Sequence, residues 1–141
     1  MKRRRLVLVV TLFLGLVPRA PSQSTSASYT PDNTYTTTLT KEALLASPTW
    51  KEDAENPPLS ARKAISLAEK LRATLIPDTK DYTWKLDNAT IASSTVEGKW
   101  YWVIQYTAHR RRNRETGPPF QLHVTVLMDG TVVKPVPLKD K

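Results

Sequence analysis

Two stretches of strict alternation, Trp100 to Ala108 and Phe120 to Met128, constrain this chain more than any other feature of it. In the first, Trp100, Trp102, Ile104 and Tyr106 share one face of an extended strand, and Tyr101, Val103, Gln105 and Thr107 share the other. In the second, Phe120, Leu122, Val124, Val126 and Met128 alternate with Gln121, His123, Thr125 and Leu127. A period of two puts successive side chains on opposite faces of a sheet, so each strand has one apolar face to bury and one of mixed polarity. Asp129-Gly130 is a two-residue hairpin signal that returns the chain as Thr131 to Val136. Ahead of these strands, Trp84 to Ala92 alternates with a bulge expected near Asn88, and Glu97-Gly98 turns it into the next strand.

The partner for the apolar face is a helix over Ala61 to Leu75. Ser60 is its expected N-cap, Leu59 a staple against Ala64, and Pro77 its end. Ala61, Ala64, Ile65, Ala68, Leu71 and Leu75 recur at spacings of three and four, with Arg62, Lys63, Glu69, Lys70 and Arg72 expected on the solvent side. The predicted fold is α+β: one amphipathic helix packed on a three- to four-stranded antiparallel meander, with Trp100, Trp102, Ile104, Leu122, Val124 and Val126 toward the helix.

Upstream the chain reads as a series of segments. Met1-Lys2-Arg3-Arg4-Arg5 followed by the apolar run Leu6 to Val17 has the form of a secretory signal peptide over residues 1–22, too short to serve as a spanning anchor. Cleavage after Ser22 or after Ser24 satisfies the small-residue rule, and a retained N-terminal anchor is the alternative. The protein is therefore expected to be exported, periplasmic or secreted. Residues 23–40, rich in Ser and Thr and nearly free of large aliphatics, are expected to be a disordered leader. Residues 41–57 form a docking arm or linker, in which Leu44, Leu45 and Trp50 are too apolar to float free, and 58–138 form the α+β domain.

Charge looks at first like a nucleic-acid signature, because the formal net charge is +8. Five of the 21 Lys and Arg residues lie in the signal peptide, which leaves 16 against 13 Asp and Glu, a net of +3. That balance gives no general argument for a polyanion, and nucleic acid is not an expected partner. Cys is absent, so disulfides, thiolate metal sites and a cysteine nucleophile are excluded. No His-x-x-x-His pair or acidic calcium loop occurs, and four glycines build no phosphate cradle, so neither metal nor cofactor is expected. His109 and His123 lack a nucleophile elbow, and the chain reads as non-catalytic, a hydrolase of unknown type remaining the last alternative. Asn88-Ala89-Thr90 matches a glycosylation sequon, whose meaning depends on the host.

From Leu59 to Pro135 the pattern resembles the PepSY-like small bacterial envelope domains. The resemblance is carried by Ala64-Ile65-Ser66-Leu67-Ala68, Lys99-Trp100-Tyr101-Trp102-Val103 and Val126-Leu127-Met128-Asp129-Gly130-Thr131-Val132-Val133. It implies a non-catalytic envelope module that binds a protein or peptide. The tryptophan-rich strand and the long arginine loop depart from the plain PepSY pattern.

Two surfaces are candidates for binding. The sheet face away from the helix offers Tyr101, Val103, Gln105, His123 and Leu127 to a protein or peptide of the cell envelope. The loop after the first alternating strand carries Arg110, Arg111, Arg112 and Arg114, four guanidinium groups in five positions. Their planar forks suit phosphate or carboxylate, and hence anionic lipid, an acidic wall polymer or an acidic partner.

Overall fold

A computed structural model of the chain describes residues 24–112 and 117–138; the expected signal peptide and Arg114 lie outside these residues. The elements are β1 (Ser24–Tyr29), β2 (Thr34–Leu39), α1 (Lys41–Ala46), α2 (Ala61–Leu75), β3 (Tyr82–Ser93), β4 (Trp100–Arg110), β5 (Gln121–Leu127), β6 (Val132–Val133) and β7 (Val136–Pro137). The strands form a single antiparallel sheet in the order β3-β4-β5-β1-β2-β7, and β6 also pairs with β5. The fold is thus mixed α/β on a larger plan than one helix over a short meander.

The centre is built by the two alternating strands. β4 and β5 pair from Tyr101 opposite Leu127 to Thr107 opposite Gln121, which puts Trp102 and Ile104 beside Val126 and Val124. β3 runs along β4 from Tyr82 opposite Arg110 to Ser93 opposite Trp100, with a register shift between Leu86 and Asn88 that leaves Asp87 as the extra residue of a bulge. The Ser60 hydroxyl accepts the Lys63 N–H at 3.3 Å to start α2. Ala64 and Ala68 are fully buried, and these small side chains let the helix sit close on Trp102, Ile104, Tyr106, Leu122, Val124 and Val126. Trp102 donates its Nε1–H to the Leu59 carbonyl at 2.9 Å, fixing the approach to the helix.

The segment expected to be a disordered leader is instead the β1–β2 hairpin. Threonine favours the extended chain, and alternation on β2 buries Tyr35, Thr37 and Leu39. The turn is closed by Thr30, whose N–H and hydroxyl both donate to the Asn33 carbonyl, at 2.9 and 2.8 Å, while its hydroxyl oxygen accepts the Asn33 N–H at 3.1 Å. β1 joins β5 through Tyr29 opposite Gln121.

The expected final strand is also two strands. Pro135, which is buried and has no N–H to donate, separates β6, paired with β5, from β7, which pairs with β2 through Pro137 opposite Tyr35. The hairpin is therefore bracketed by β5 on one side and β7 on the other.

A second, smaller core lies on the face away from α2. Leu39 and Leu44 pack on Leu127, joined by Tyr101, Val96 and Val133. The Met128 N–H donates to the Ser47 hydroxyl at 3.1 Å, Lys99 donates its Nζ hydrogens to the Ser47 and Leu45 carbonyls at the end of α1, and Trp50 meets Trp100 edge to face at 5.3 Å. Residues 41–50 are thus fastened to the sheet. Arg72, expected on the solvent side of α2, is buried, because it lies four residues after Ala68 and four before Ile76 and so falls within the core-facing stripe.

Candidate functional site

The face expected to bind a partner is divided by the chain's own N-terminal elements. Leu127 is 2 % exposed and belongs to the second core, and Tyr101 is half-buried against the same cluster. The His123 N–H donates to the Ser28 hydroxyl at 2.9 Å, and its ring Nδ1 lies 3.2 Å from the Ala27 carbonyl, so β1 runs along it. What remains around Val103 and Gln105 is a polar strip. Gln105 donates to Asp87 at 3.1 Å and accepts from Asn88 at 3.2 Å, and the Thr107 hydroxyl donates to the same Asp87 carboxylate at 3.4 Å. The five residues form no common apolar surface, because its apolar portion has been taken by Leu39 and Leu44.

The arginines are separated as well. Arg110 donates its Nε–H to the Tyr82 hydroxyl at 3.0 Å, with its guanidinium carbon 5.5 Å from the centre of the same ring. Arg111 turns toward Asp78, with an Nη2 to Oδ2 distance of 3.9 Å, and its N–H donates to the Asp81 carbonyl at 3.0 Å. Arg112 is exposed. Register explains the meeting of Arg110 with Tyr82, since the two residues are directly opposite on β4 and β3.

Around this pair the end of the sheet is hollowed. Phe120 meets Tyr82 edge to face at 5.7 Å, and a pocket of about 250 Å³ is walled by Tyr82, Arg110, Gly117, Pro118, Pro119 and Phe120. A shallower depression of about 280 Å³, walled by Asp81, Tyr82, Arg110 and Arg112, shares Tyr82 and Arg110 with it. A cleft of about 430 Å³ between the β1–β2 turn and the loop from α2 to β3 also has Tyr82 in its wall, beside Tyr35, Pro77 and Trp84. Tyr82 was not among the residues singled out from the sequence. Its place before the alternating run, opposite the first arginine, was the signal that could have found it.

One polar constellation inside the fold was also hidden from the sequence. Buried Arg72 donates to the Glu69 carboxylate, to the Ile76 carbonyl at 3.3 Å and to Asp78 Oδ1 at 3.0 Å. The hydrogen bond to Glu69, together with the charges of Glu69 and Asp78, raises the guanidinium further above its ordinary value against the opposing effect of burial. The Tyr106 hydroxyl is buried near Glu69 without a well-formed hydrogen bond, and burial foremost, with the charge of Glu69 and its carboxylate's hold on the phenol proton adding to it, pushes its phenol well above the usual range. Among the described residues no group of three or more His, Cys, Asp or Glu could hold a metal ion. His109 is exposed and pairs with Thr83 at the end of β4, while His123 sits on β5 against β1. Comparison of the chain with family models, with curated proteins and with solved structures finds no match.

Proposed function

We propose that the protein is an exported, non-catalytic binding module that holds an acidic group of a protein or peptide partner at the Tyr82 end of its sheet. The observation that carries this reading is exposed Arg112 in a depression that adjoins an apolar pocket walled by Tyr82 and Phe120. The planar fork of a guanidinium suits a carboxylate, and an apolar pocket beside it adds contact for the rest of the partner. The PepSY-like resemblance and the signal-peptide form of residues 1–22 point to the same envelope setting.

The test is photo-crosslinking in intact cells from a reactive group at position 112, with a second version at position 103 on the polar strip. The reading expects a discrete protein adduct from position 112 that weakens as salt is raised, and none from position 103. Adducts from position 112 to lipid or wall polymer alone would replace it with attachment of the protein to an anionic surface.

A further inference from the structure

The cleft of about 430 Å³ differs in chemistry from the arginine site. One wall is the β1–β2 turn with Pro31, Asp32 and Asn33, and the other is the loop from α2 to β3 with Pro77, Lys80 and Asp81. Tyr35 and Trp84 also line it, although they are only 6 % and 7 % exposed. No described residue hydrogen-bonds to the Tyr35 hydroxyl or to the Trp84 indole N–H. By contrast, Trp102 donates its indole N–H to the Leu59 carbonyl and Trp50 donates its own to the Ala54 carbonyl. Among the described residues, the side-chain atoms sealed from water without a well-formed hydrogen bond are those of Thr37 and Tyr106, so the polar tips of Tyr35 and Trp84 reach solvent. Such groups on nearly buried side chains are ready partners for a ligand. The backbone that closes each wall is already engaged. Thr30 closes the first on the Asn33 carbonyl; in the second, the Thr79 N–H donates to the Tyr82 carbonyl at 3.0 Å, and the Thr79 hydroxyl oxygen accepts the Asp81 and Tyr82 N–H groups at 3.2 and 3.1 Å. The polar groups offered to a ligand are therefore mainly side chains. They include the Asp32 and Asp81 carboxylates and the Lys80 ammonium, none of which has a side-chain partner among the described residues.

We infer that this cleft binds a neutral saccharide, whose hydroxyls accept from Trp84 and Lys80 and donate to Asp32 and Asp81, with its C–H face toward Ile76 and Pro77. The inference goes beyond the arginine-site reading and stands without it. A hydroxyl donates and accepts at once, so a sugar ring can match every group in this mixed lining. An indole N–H only donates, and a cationic amine, which has no acceptor, would leave Trp84 unmatched. An anion would meet two carboxylates against one ammonium. An extended peptide is held chiefly through a free strand edge, whereas these walls are a turn and a loop. The volume lies within the roughly 300–1,000 Å³ range of small-ligand sites.

The experiment is a proton–nitrogen NMR titration of the purified full-length protein with glucose, maltose, cellobiose and N,N′-diacetylchitobiose, each raised to tens of millimolar. N-acetylglycinamide, tetramethylammonium and acetate serve as controls. The Trp84 indole signal is identified by its absence from Trp84→Phe, which keeps an aromatic ring in place. The expected result is a saturable shift of the Trp84 indole and of the Asn33 and Lys80 amides with at least one saccharide, while the Trp102 indole, held by Leu59, stays in place. Asp32→Ala, at an exposed turn position, should weaken that saccharide about three- to tenfold and leave amides distant from the cleft unchanged. A disaccharide that binds more tightly than glucose would support the inference and assign the cleft to a glycan chain, and equal binding would support it with a free sugar as ligand. If no saccharide moves the Trp84 indole, the inference is overturned. An equal shift with N-acetylglycinamide, tetramethylammonium or acetate also overturns it, giving the cleft to a peptide, a cation or an anion. The arginine-site reading has its own test in crosslinking from position 112, so the failure of one is distinguishable from the failure of the other.

Discussion

The Arg72 guanidinium and the Asp78 carboxylate meet at 3.0 Å, and the same Asp78 oxygen accepts the Trp84 N–H at 3.1 Å. One carboxylate thereby ties the C-terminal turn of the helix to the first turns of the edge strand. Removing its buried cationic partner leaves the Ile76 carbonyl without that donor and opens a hole beside the core. Arg72→Ala is expected to cost about 2 kcal/mol in urea unfolding, and Asp78→Ala about 1 kcal/mol, because the acid is itself partly exposed. The double variant should cost less than the two together, since they share one network.

Tyr106 gives the fold an alkaline limit. Its phenol is raised by burial in the folded chain and ordinary, near 10, in the unfolded one. The contribution of the neutral phenol is therefore whole below about pH 10 and is lost as the pH rises through the folded value, because the unfolded chain sheds the proton first. Tyr106→Phe should leave stability at pH 7 unchanged or slightly raised, since it deletes a buried hydroxyl without a well-formed hydrogen bond, and should flatten the fall above pH 10. Thermal melts of both proteins across that range check the difference in slope.

Leu127 and Val103 lie on the same face of the sheet and should answer differently to truncation. Leu127→Ala is expected to cost about 3 kcal/mol, the price of a cavity between Leu39 and Leu44, whereas Val103→Ala, on a half-buried site, should cost about 1 kcal/mol or less. Equal costs measured by chemical denaturation would mean that the N-terminal elements do not cover this face.

Hydrogen exchange should rank the strands. Amides at the β4–β5 centre, such as Ile104 and Val124, are expected to exchange last, and those of the β1–β2 hairpin sooner and together. A single bridge pair joins β1 to β5.

Turn 98 offers a sharper probe of the docked arm. Gly98 has φ +68°, and a Cβ there would lie 2.7 Å from the Thr49 Cγ2. Gly98→Ala should lower stability by about 1–2 kcal/mol, and Gly98→Ala with Thr49→Ser should recover the part due to the clash but not the part due to φ.

The elements legible in the sequence are those whose burial is decided by their own pattern. The α2 helix starts at its Ser60 cap, and β4 and β5 send Trp102, Ile104, Val124 and Val126 to the helix as their alternation requires. The hairpin was hidden because composition stood in for pattern. Tyr35, Thr37 and Leu39 alternate, but Thr34, Thr36, Thr38 and Thr40 stand between and beside them, and a threonine-rich strand reads as a polar tract. Arg72 was misplaced because its residue type outweighed its position four residues after Ala68. Leu127 and Tyr101 were given to a partner because the segment that covers them is remote in sequence, and tertiary cover of that kind leaves no local trace. The Tyr82 site was half legible: the arginines could be counted, but the strand register that seats the first of them on an aromatic ring could not.

The bracketing of the first hairpin by β5 and β7 has a consequence for the order of assembly. Leu138 donates its N–H to the Thr34 carbonyl at 2.8 Å, so residues separated by nearly the whole described chain close on one another. A polypeptide made from its N-terminus must carry Tyr35 and Thr36 without their strand partner until Val136 and Pro137 have emerged, while α2 and the strands that follow it can already gather. The first hairpin of the described chain is thus among the last parts of the sheet to be closed on both sides.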